Sequence, residues 1–355
     1  MKRILAILLA LLMCFSLVAC GAKAPAEEAP APEAEAPAEE APAEEAPVDP
    51  IVLRFSSAAT GASTTAEAME VFKKAIEEKS NGRILVEIYH SSSLVAQDAE
   101  VESVINGNIE MATADISFVT PYLPYLSMFS AAYFFESAEH ADTVMNRSEI
   151  GKALCDRVAD EIGVQPLQVW YDGCRVLSTR FTEPTIMTPD DMAGVILRMP
   201  NSDSYMFMGE VLGGNPTPLA FAELYTALNT GAVDAQDNPL PNIESSKCYE
   251  VTGQISLTNH LVGNVWPMIN KQVWDDMGAE LQGLMMEAID EAGKYMMETN
   301  KAKEARLVEF FESEGIKVVE PDRAAFIARA EEMYLNSSFA ETWDMDLYAE
   351  IKALA

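Results

Sequence analysis

The sequence predicts an α/β fold of two lobes, in which two mixed sheets flanked by helices leave a cleft between the lobes and a long helix spans both. Three observations support this prediction. Strand-like and helix-like segments alternate at the start of the folded part. Roughly 305 residues follow the N-terminal region, which is enough for two separate cores. The chain also has a place to leave the first lobe near residue 172 and to return near residue 260.

The first lobe begins with a regular alternation of elements. Strands are predicted at residues 51–57, 84–89 and 109–113 from their apolar and β-branched residues. Helices are predicted between them, at residues 64–80, with one apolar face, and at residues 98–105, which Gly107 ends. This strand–helix–strand rhythm favours a mostly parallel sheet with helices on both faces.

The middle of the chain carries the crossover between the lobes. Two helices at residues 138–146 and 149–162 precede a strand at residues 164–171, which Pro166 interrupts. The Asp172-Gly173 pair after this strand is a place where the chain can change lobe.

The second half of the chain repeats the alternation and then returns. The predicted elements are strands at 195–199 and 233–236, a rigid Pro-rich corner at 215–218, a helix at 221–229, a return strand within 256–269, a long helix at 280–314, a strand at 316–319 and a closing helix at 321–335. We therefore assign residues 50–172 with 261–300 to lobe I and residues 173–260 with 301–355 to lobe II.

The first fifty residues predict a lipid-anchored secreted protein. Lys2 and Arg3 precede an apolar run that is too short to span a bilayer, as in a secretory signal. The run ends in Leu-Val-Ala-Cys, the pattern of a bacterial lipoprotein cleavage site, so residues 1–20 are a signal peptide with Cys20 as the lipidated residue. An ordinary signal peptide that contains a Cys near its end is the alternative. Residues 21–49 are almost only Ala, Pro and Glu, which predicts a disordered tether.

The charge balance excludes one large class of partners. The formal net charge is −32, and such an acidic chain lacks the basic stripes that nucleic-acid binding requires. An anionic ligand would have to be bound by local cations, which act within about 8–10 Å at ordinary salt. The three cysteines after Cys20 have no metal-like spacing. Free buried thiols are expected, and a bond between Cys174 and Cys248 is the alternative if the fold brings them together.

Four motifs in the second half of the chain resemble one known family. They are Leu-Arg-Met-Pro-Asn at 197–201, Asn-Pro-Thr-Pro at 215–218, Glu-Leu-Tyr-Thr-Ala-Leu-Asn-Thr-Gly at 223–231 and Val-Asp-Ala-Gln-Asp-Asn-Pro at 233–239. The chain resembles the extracytoplasmic substrate-binding proteins of TRAP transporters, the DctP-like family, from about residue 51 to 320. It departs from the usual pattern at Ala235, where Gly is usual, and at Asp237, where Glu is usual. The resemblance implies a periplasmic-binding-protein-like fold.

Arg198 is the principal candidate for ligand binding. A guanidinium keeps its charge when buried and offers paired donors to a carboxylate, and the resemblance gives this Arg the role of pairing with the ligand. The structural alternative is an Arg bonded to a carboxylate of its own protein. The resemblance also implies ligand contacts for Arg175, which could instead pair with Asp172, and for Asn238, whose backbone Pro239 holds extended.

Further candidates have weaker support. Asp115 follows a predicted strand end, where open α/β sheets bind ligands, and the resemblance implies that Asp115 and Asp98 lie near the ligand and accept hydrogen bonds from its hydroxyls. The other candidates are the aromatic residues Phe221, Trp266 and Tyr171, and Asn201. An acidic residue at 115 in the site would favour a hydroxylated monocarboxylate over a plain dicarboxylate. For the aromatic residues, a place in the core is an equally good interpretation.

The resemblance implies an extracytoplasmic solute receptor that binds a small organic acid and delivers it to TRAP membrane subunits. The sequence predicts a lipid anchor at the bacterial cell membrane, a monomer, no cofactor, no metal and no catalysis, because no catalytic motif stands in the chain. The alternatives are a binding protein of an ABC importer or of a sensor kinase, or a secreted enzyme that acts on acidic sugars with paired carboxylates.

Overall fold

The structure is a computed structural model that describes residues 49–354. The predicted signal peptide, the lipidated Cys20 and nearly all of the predicted tether lie outside the described residues. No helix within residues 49–354 combines the length and the apolar character needed to cross a membrane.

Ten strands and ten α-helices make up the described chain. The strands are β1 (Ile51–Ser57), β2 (Ile84–Tyr89), β3 (Met111–Ala114), β4 (Val164–Pro166), β5 (Trp170–Thr179), β6 (Ile196–Met199), β7 (Asn215–Pro218), β8 (Ala235–Pro239), β9 (Gln254–Asn270) and β10 (Lys317–Val319). The helices are α1 (Thr64–Lys79), α2 (Glu100–Ile105), α3 (Ala138–Arg147), α4 (Glu149–Ile162), α5 (Asp203–Val211), α6 (Leu224–Thr230), α7 (Leu240–Ser245), α8 (Lys271–Ser313), α9 (Arg323–Leu335) and α10 (Met345–Lys352).

The strands form two mixed regions that are joined into one sheet order, β2-β1-β3-β9-β5-β8-β6-β7. In the first region β1 pairs in parallel with β2 and β3, and β9 runs antiparallel to β3 and β4. In the second region β6 lies parallel to β7 and β8, while β5 runs antiparallel to β8 and β9. The two predicted sheets are thus continuous through the long strand β9.

Local sequence signals explain the first region well. The side chain of Ser63 accepts a hydrogen bond from the backbone N–H of Ala66 and so caps the start of α1. Met69, Phe72 and Ile76 recur at helical spacing and are fully buried against β1. Burial of this apolar face holds α1 on the sheet.

The strands β5 and β9 pass through the predicted lobe boundaries at 172 and 260 without a break in the chain direction. Their pairing shifts register beside Gly173, which lies opposite Gly263. Gly173 has a φ of +107°, and a Cβ at Gly263 would lie 2.5 Å from the carbonyl oxygen of Gly173. The backbones approach too closely here for any side chain. The domain boundaries given above stay a prediction.

The long helix α8 contacts elements of both sheet regions. It packs on α1 and β5 on one side and contacts α7 and β10 further along. Gly278, with a φ of 73°, interrupts its helical geometry near the start. The uninterrupted part after Gly278 matches the long helix predicted at 280–314.

Three features differ from the sequence prediction. The segment 215–218, predicted as a rigid corner, is the strand β7, and its two prolines are accommodated because β7 lies at the sheet edge. The predicted strand 164–171 is divided between β4 and β5, and β5 continues to Thr179. The helices α7 and α10 were not predicted.

Candidate functional site

A cavity lies where the carboxyl ends of β3, β6 and β8 meet, the position at which open α/β sheets bind ligands. Five residues that the sequence singles out line this cavity: Arg198, Arg175, Asn238, Asp115 and Phe221. We call it the central cleft. It draws its walls from both sheet regions and from the N-terminal end of α1.

Arg198 enters the central cleft from β6 without a carboxylate partner in the described part of the chain. Its side chain is 1% exposed. The Nε–H donates to the carbonyl oxygen of Leu219 at 2.8 Å, whereas Nη2 is buried and has no hydrogen-bond partner. Burial lowers the pKa of Arg198 to about 10, so the guanidinium stays charged at neutral pH. A buried charge with an unused donor is a strong site for an anion.

Phe221 provides an apolar wall beside this charge. The centre of its ring lies 6.0 Å from the guanidinium carbon of Arg198, at the outer limit of a cation–π contact. The backbone N–H of Phe221 donates to Oε1 of Gln97 at 3.0 Å. This bond joins the second sheet region to the turn before α2 and so holds the aromatic wall across the cleft.

Arg175 lines the same cleft, but its charge is already paired. Its Nε and Nη2 donate to the carboxylate of Asp237 at 2.6 and 3.0 Å, and Nη2 also donates to the carbonyl oxygen of Asp237. Burial alone raises the pKa of Asp237, but Arg175 beside it holds that pKa well below its usual range. The face of Tyr205 covers the guanidinium at 4.9 Å.

The suggested pairing of Arg175 with Asp172 is wrong, for a geometric reason. Leu177 of β5 lies opposite Asp237 of β8, so Arg175 and Asp237 occupy diagonal positions on one face of the pair. Asp172 precedes the register shift at Gly173. Its carboxylate instead accepts hydrogen bonds from Thr65 at 3.2 Å and from Asn242 at 2.7 Å.

Two carboxyl groups line the central cleft, the buried Asp172 and the half-buried Asp115. Burial raises the pKa of Asp172 to about 6. Asp115 accepts hydrogen bonds from the hydroxyl of Tyr205 at 2.9 Å and from the backbone N–H of Ser117 at 2.8 Å. Burial raises the pKa of Asp115 in spite of these bonds.

Asn238 lies at the end of β8 with its side chain fixed by a relay of amides. Its Nδ2 donates to Oε1 of Gln236 at 2.5 Å, and Nε2 of Gln236 donates to Ser178 at 2.6 Å. The Asn238 side chain is 4% exposed. Its carbonyl oxygen is the part of the amide not used in this relay.

The four other predicted residues do not line the central cleft. Asp98 and Asn201 lie together in a neighbouring pocket, where Nδ2 of Asn201 donates to Asp98 at 3.3 Å. Tyr171 borders a groove beside α8, and its hydroxyl donates to Glu304 at 2.8 Å. Trp266 is 1% exposed and belongs to the hydrophobic core.

The sequence prediction missed three residues that line or support the central cleft. Glu100 of α2 and Asn264 of β9 line it, and His260 lies behind it with its ring nitrogens near Thr258 and Asp237. Glu100 is 1% exposed and accepts a hydrogen bond from Ser56 at 2.8 Å. Glu100 stands out only through its burial. The folded structure shows this burial, and the spacing of residues in the sequence does not.

Other functional groups are few in the described residues. Within 49–354, no set of three or more His, Cys, Asp or Glu side chains is arranged to hold a metal ion. Cys155, Cys174 and Cys248 are free. Together, these observations describe the central cleft as a site for a small anion. The cleft offers this anion a positive charge, hydrogen bonds and one aromatic wall.

Comparison with known proteins agrees with this geometry. The family described as bacterial extracellular solute-binding protein, family 7 (DctP), matches residues 55–341. The "Sialic acid-binding periplasmic protein SiaP" of Vibrio cholerae is 29% identical over 282 residues, which are 79% of this chain and 87% of that protein.

Solved structures give the same family. A TRAP periplasmic solute-binding protein from Roseobacter denitrificans with bound 3-deoxy-D-manno-oct-2-ulosonic acid is 39% identical, has a TM-score of 0.83 and covers 86% of this chain and 100% of that chain. A second one from the same species, with bound L-galactonate, is 26% identical with a TM-score of 0.78, over 87% of this chain and 99% of its own. The predicted two-lobed α/β fold class is confirmed. The chain belongs to the bacterial extracellular solute-binding proteins of family 7, the DctP family.

Proposed function

We propose that this protein is the extracytoplasmic receptor of a TRAP-type transporter and that it binds a small organic acid through Arg198. The single observation that carries this proposal is the buried guanidinium of Arg198, which has an unused donor and faces the central cleft. Leaving a buried donor unsatisfied costs about 1–3 kcal/mol, and more for a charged group. A carboxylate ligand removes that cost and matches the planar donors of the guanidinium.

The other residues of the central cleft have supporting roles in this proposal. Asn238 offers its carbonyl oxygen to the ligand, and Phe221 packs on the carbon skeleton. Arg175 positions the site, because its Nε and Nη2 already donate to Asp237. Asp98, Asn201, Tyr171 and Trp266 have no direct ligand contact in this arrangement.

The relatives support the class of ligand and of partner. Their names and bound molecules include sialic acid, L-galactonate and 3-deoxy-D-manno-oct-2-ulosonic acid, all of which carry a carboxylate. We infer that the loaded receptor acts as a monomer, docks on TRAP membrane subunits and releases its ligand chemically unchanged. Cys20 would tether the receptor to the membrane. An ABC importer or a sensor kinase as partner, or enzymatic action on acidic sugars, has no specific support in the site.

Substitution of Arg198 by Met tests the carboxylate role. Met has a similar length but no charge, so we expect affinity for organic acids to fall by about 2–5 kcal/mol, roughly 30-fold to several-thousand-fold. The unliganded protein should keep its thermal unfolding midpoint, because removal of a buried charge that has no carboxylate partner offsets the loss of its hydrogen bond to Leu219. Isothermal titration calorimetry and thermal unfolding on the full chain measure both effects.

The exposed Arg157, which pairs with Glu161 on the surface of α4, supplies the matched control. Arg157→Met removes the same charge away from the cleft and should leave affinity unchanged. Arg198→Lys should also weaken binding, because an ammonium cannot form two parallel hydrogen bonds to a carboxylate. An Arg198→Met variant that binds as tightly as the wild type would refute the proposed function.

A further inference from the structure

The charged groups of the central cleft are unequally distributed. Two arginines line it, but Asp237 pairs with Arg175 and leaves Arg198 as the one guanidinium there without a carboxylate partner among residues 49–354. Three carboxyl groups line the same cleft: Glu100, Asp115 and Asp172. We call these three the acidic wall.

No residue of the acidic wall forms an ion pair in the described chain. Each one accepts hydrogen bonds from neutral groups: Glu100 from Ser56, Asp115 from Tyr205 and Ser117, and Asp172 from Thr65 and Asn242. Arg175 lies near enough to Asp115 and Asp172 to act on them electrostatically, but it is already paired with Asp237. The carboxylates of Asp115 and Asp172 therefore face the cleft without an ion-pair partner among residues 49–354.

An independent observation concerns a hydrogen-bond acceptor in the lining of the cleft. Asn264 is 6% exposed and lines the central cleft, and its Oδ1 is buried without a hydrogen-bond partner. A carbonyl oxygen can only accept a hydrogen bond. Thr60 also lines the cleft with a buried hydroxyl that has no partner. The unused donor on Arg198 and the unused acceptor on Asn264 thus require different groups on the ligand.

We propose that the central cleft selects monocarboxylates whose other carbons carry hydroxyl groups, and that Asp115 and Asp172 exclude ligands with a second carboxylate. This inference rests on the proposed function, since it takes the ligand carboxylate to be bound by Arg198. A second carboxylate would lie against like charges in a buried site, which is strongly unfavourable. Hydroxyl groups can donate to the acidic wall and to Asn264 and can accept from the neighbouring hydroxyls and amides.

The neutral lining favours hydroxyl groups over an ammonium group on the ligand. Ser57, Thr65, Thr113 and Asn242 line the cleft beside the acidic wall. A hydroxyl both donates and accepts, as these side chains do, whereas an ammonium only donates. Several hydroxyls along one carbon chain therefore match this lining better than a single positive charge.

The test is a set of calorimetric titrations of the full chain at pH 7.5 with three groups of acids. The hydroxylated monocarboxylates are L-galactonate, D-erythronate and 3-deoxy-D-manno-oct-2-ulosonic acid, the dicarboxylates are succinate and malate, and 4-aminobutanoate carries an ammonium. We expect the tightest ligand to be a hydroxylated monocarboxylate, with the dicarboxylates at least about 100-fold weaker. We call the affinity for the tightest monocarboxylate divided by that for the dicarboxylates the selectivity ratio. Asp115→Asn should reduce this ratio at least about tenfold, because the amide removes the charge and can still accept a hydrogen bond from Ser117.

Asp344 offers a matched control for Asp115. It caps α10 by accepting hydrogen bonds from the backbone N–H groups of Asp346 and Leu347, and it does not line the central cleft. Asp344→Asn makes the same change of charge at the N-terminal cap of a helix and should leave the selectivity ratio between monocarboxylates and dicarboxylates unchanged.

The possible outcomes separate the two proposals. A dicarboxylate or 4-aminobutanoate as the tightest ligand, with binding still lost in Arg198→Met, would overturn this inference and leave the proposed function intact. An unchanged ratio in Asp115→Asn would overturn the role of the acidic wall. If no acid of any group binds, or if Arg198→Met binds normally, the proposed function fails and this inference fails with it.

Discussion

Glu100 shows how a single buried residue links the site to the stability of the protein. Its carboxyl group is 1% exposed, and its one hydrogen bond, from Ser56, does not compensate for the loss of water. Burial raises its pKa from 4.5 to about 8. At neutral pH this group is therefore mostly protonated and can donate a hydrogen bond as well as accept one.

This shift predicts a pH dependence of the free energy of unfolding. Because the folded chain keeps the proton and the unfolded chain releases it, the contribution of Glu100 is fully present below pH 4.5 and is lost as pH rises through about 8. The total loss is up to about 5 kcal/mol. Glu100→Gln, which imitates the protonated form, should become more stable than the wild type as pH rises from 5 to 8, as urea unfolding would measure.

The control for this prediction is Glu102→Gln, at an exposed position on the same helix. It should change stability equally at both pH values. A gap between Glu100→Gln and the wild type that stays constant from pH 5 to 8 would show that Glu100 does not keep its proton in the folded state.

Among the secondary-structure elements, the pairing of β5 with β9 matters most, and we call the point of their closest approach the crossing. These two strands belong to both predicted lobes, and they approach most closely where Gly173 faces Gly263. The atom that opposes a Cβ at Gly263 is a backbone oxygen, which cannot move without shifting the strand. The glycine pair therefore fixes how closely the two sheet regions are joined.

Gly263→Ala should destabilise the protein by about 1–3 kcal/mol, because its Cβ overlaps the carbonyl oxygen of Gly173. Gly283→Ala is the matched control. Gly283 lies in α8 with no atom within 4 Å of the added Cβ, so alanine should stabilise the helix by about 0.5–1 kcal/mol. Urea unfolding of both variants decides the point, and equal effects of the two substitutions would contradict this account of the crossing.

The elements also show what a sequence can predict. Strands and helices with clear apolar periodicity, such as β1, α1 and the long part of α8, agree with the prediction within a few residues. The prediction was wrong at two groups of prolines, which lie in the edge strand β7 and in the first turn of α7. Proline is compatible with both positions. Whether the chain adopts them depends on neighbouring elements that a local sequence pattern does not contain.

The same limit applies to the site. The guanidinium of Arg198 and the amide of Asn238 follow predicted strand ends, so their meeting could be anticipated. Glu100 and Asn264 could not be found this way, because their importance comes from burial and from an unused hydrogen-bonding atom. Which of two aspartates pairs with Arg175 depended on the register of β5 and β8.

At the scale of the whole molecule, the sequence predicts a leader and a tether before the folded receptor. The proposed lipid on Cys20 would hold the receptor at the membrane, and stable anchoring requires more than one acyl chain, as a bacterial lipoprotein carries. We expect an alkyne fatty acid fed to the producing cells to label the wild-type protein and not Cys20→Ser. Labelling is measured after click attachment of a dye.

Cys14→Ser is the control for this experiment, because Cys14 lies within the predicted signal peptide and is removed with it. That variant should be labelled as the wild type is. Equal labelling of the wild type and Cys20→Ser would show that the lipid, if any, is attached elsewhere.

The unused donor of Arg198 has a practical consequence for anyone who purifies this receptor. A buried guanidinium without a carboxylate partner is expected to bind small monoanions from the solution, and acetate and sulfonate buffers both offer one. Affinities recorded in such solutions would be those of a competition with the buffer. Dialysis into a buffer of neutral or cationic species, or partial unfolding and refolding to strip carried-over metabolites, is therefore the appropriate starting point for every titration.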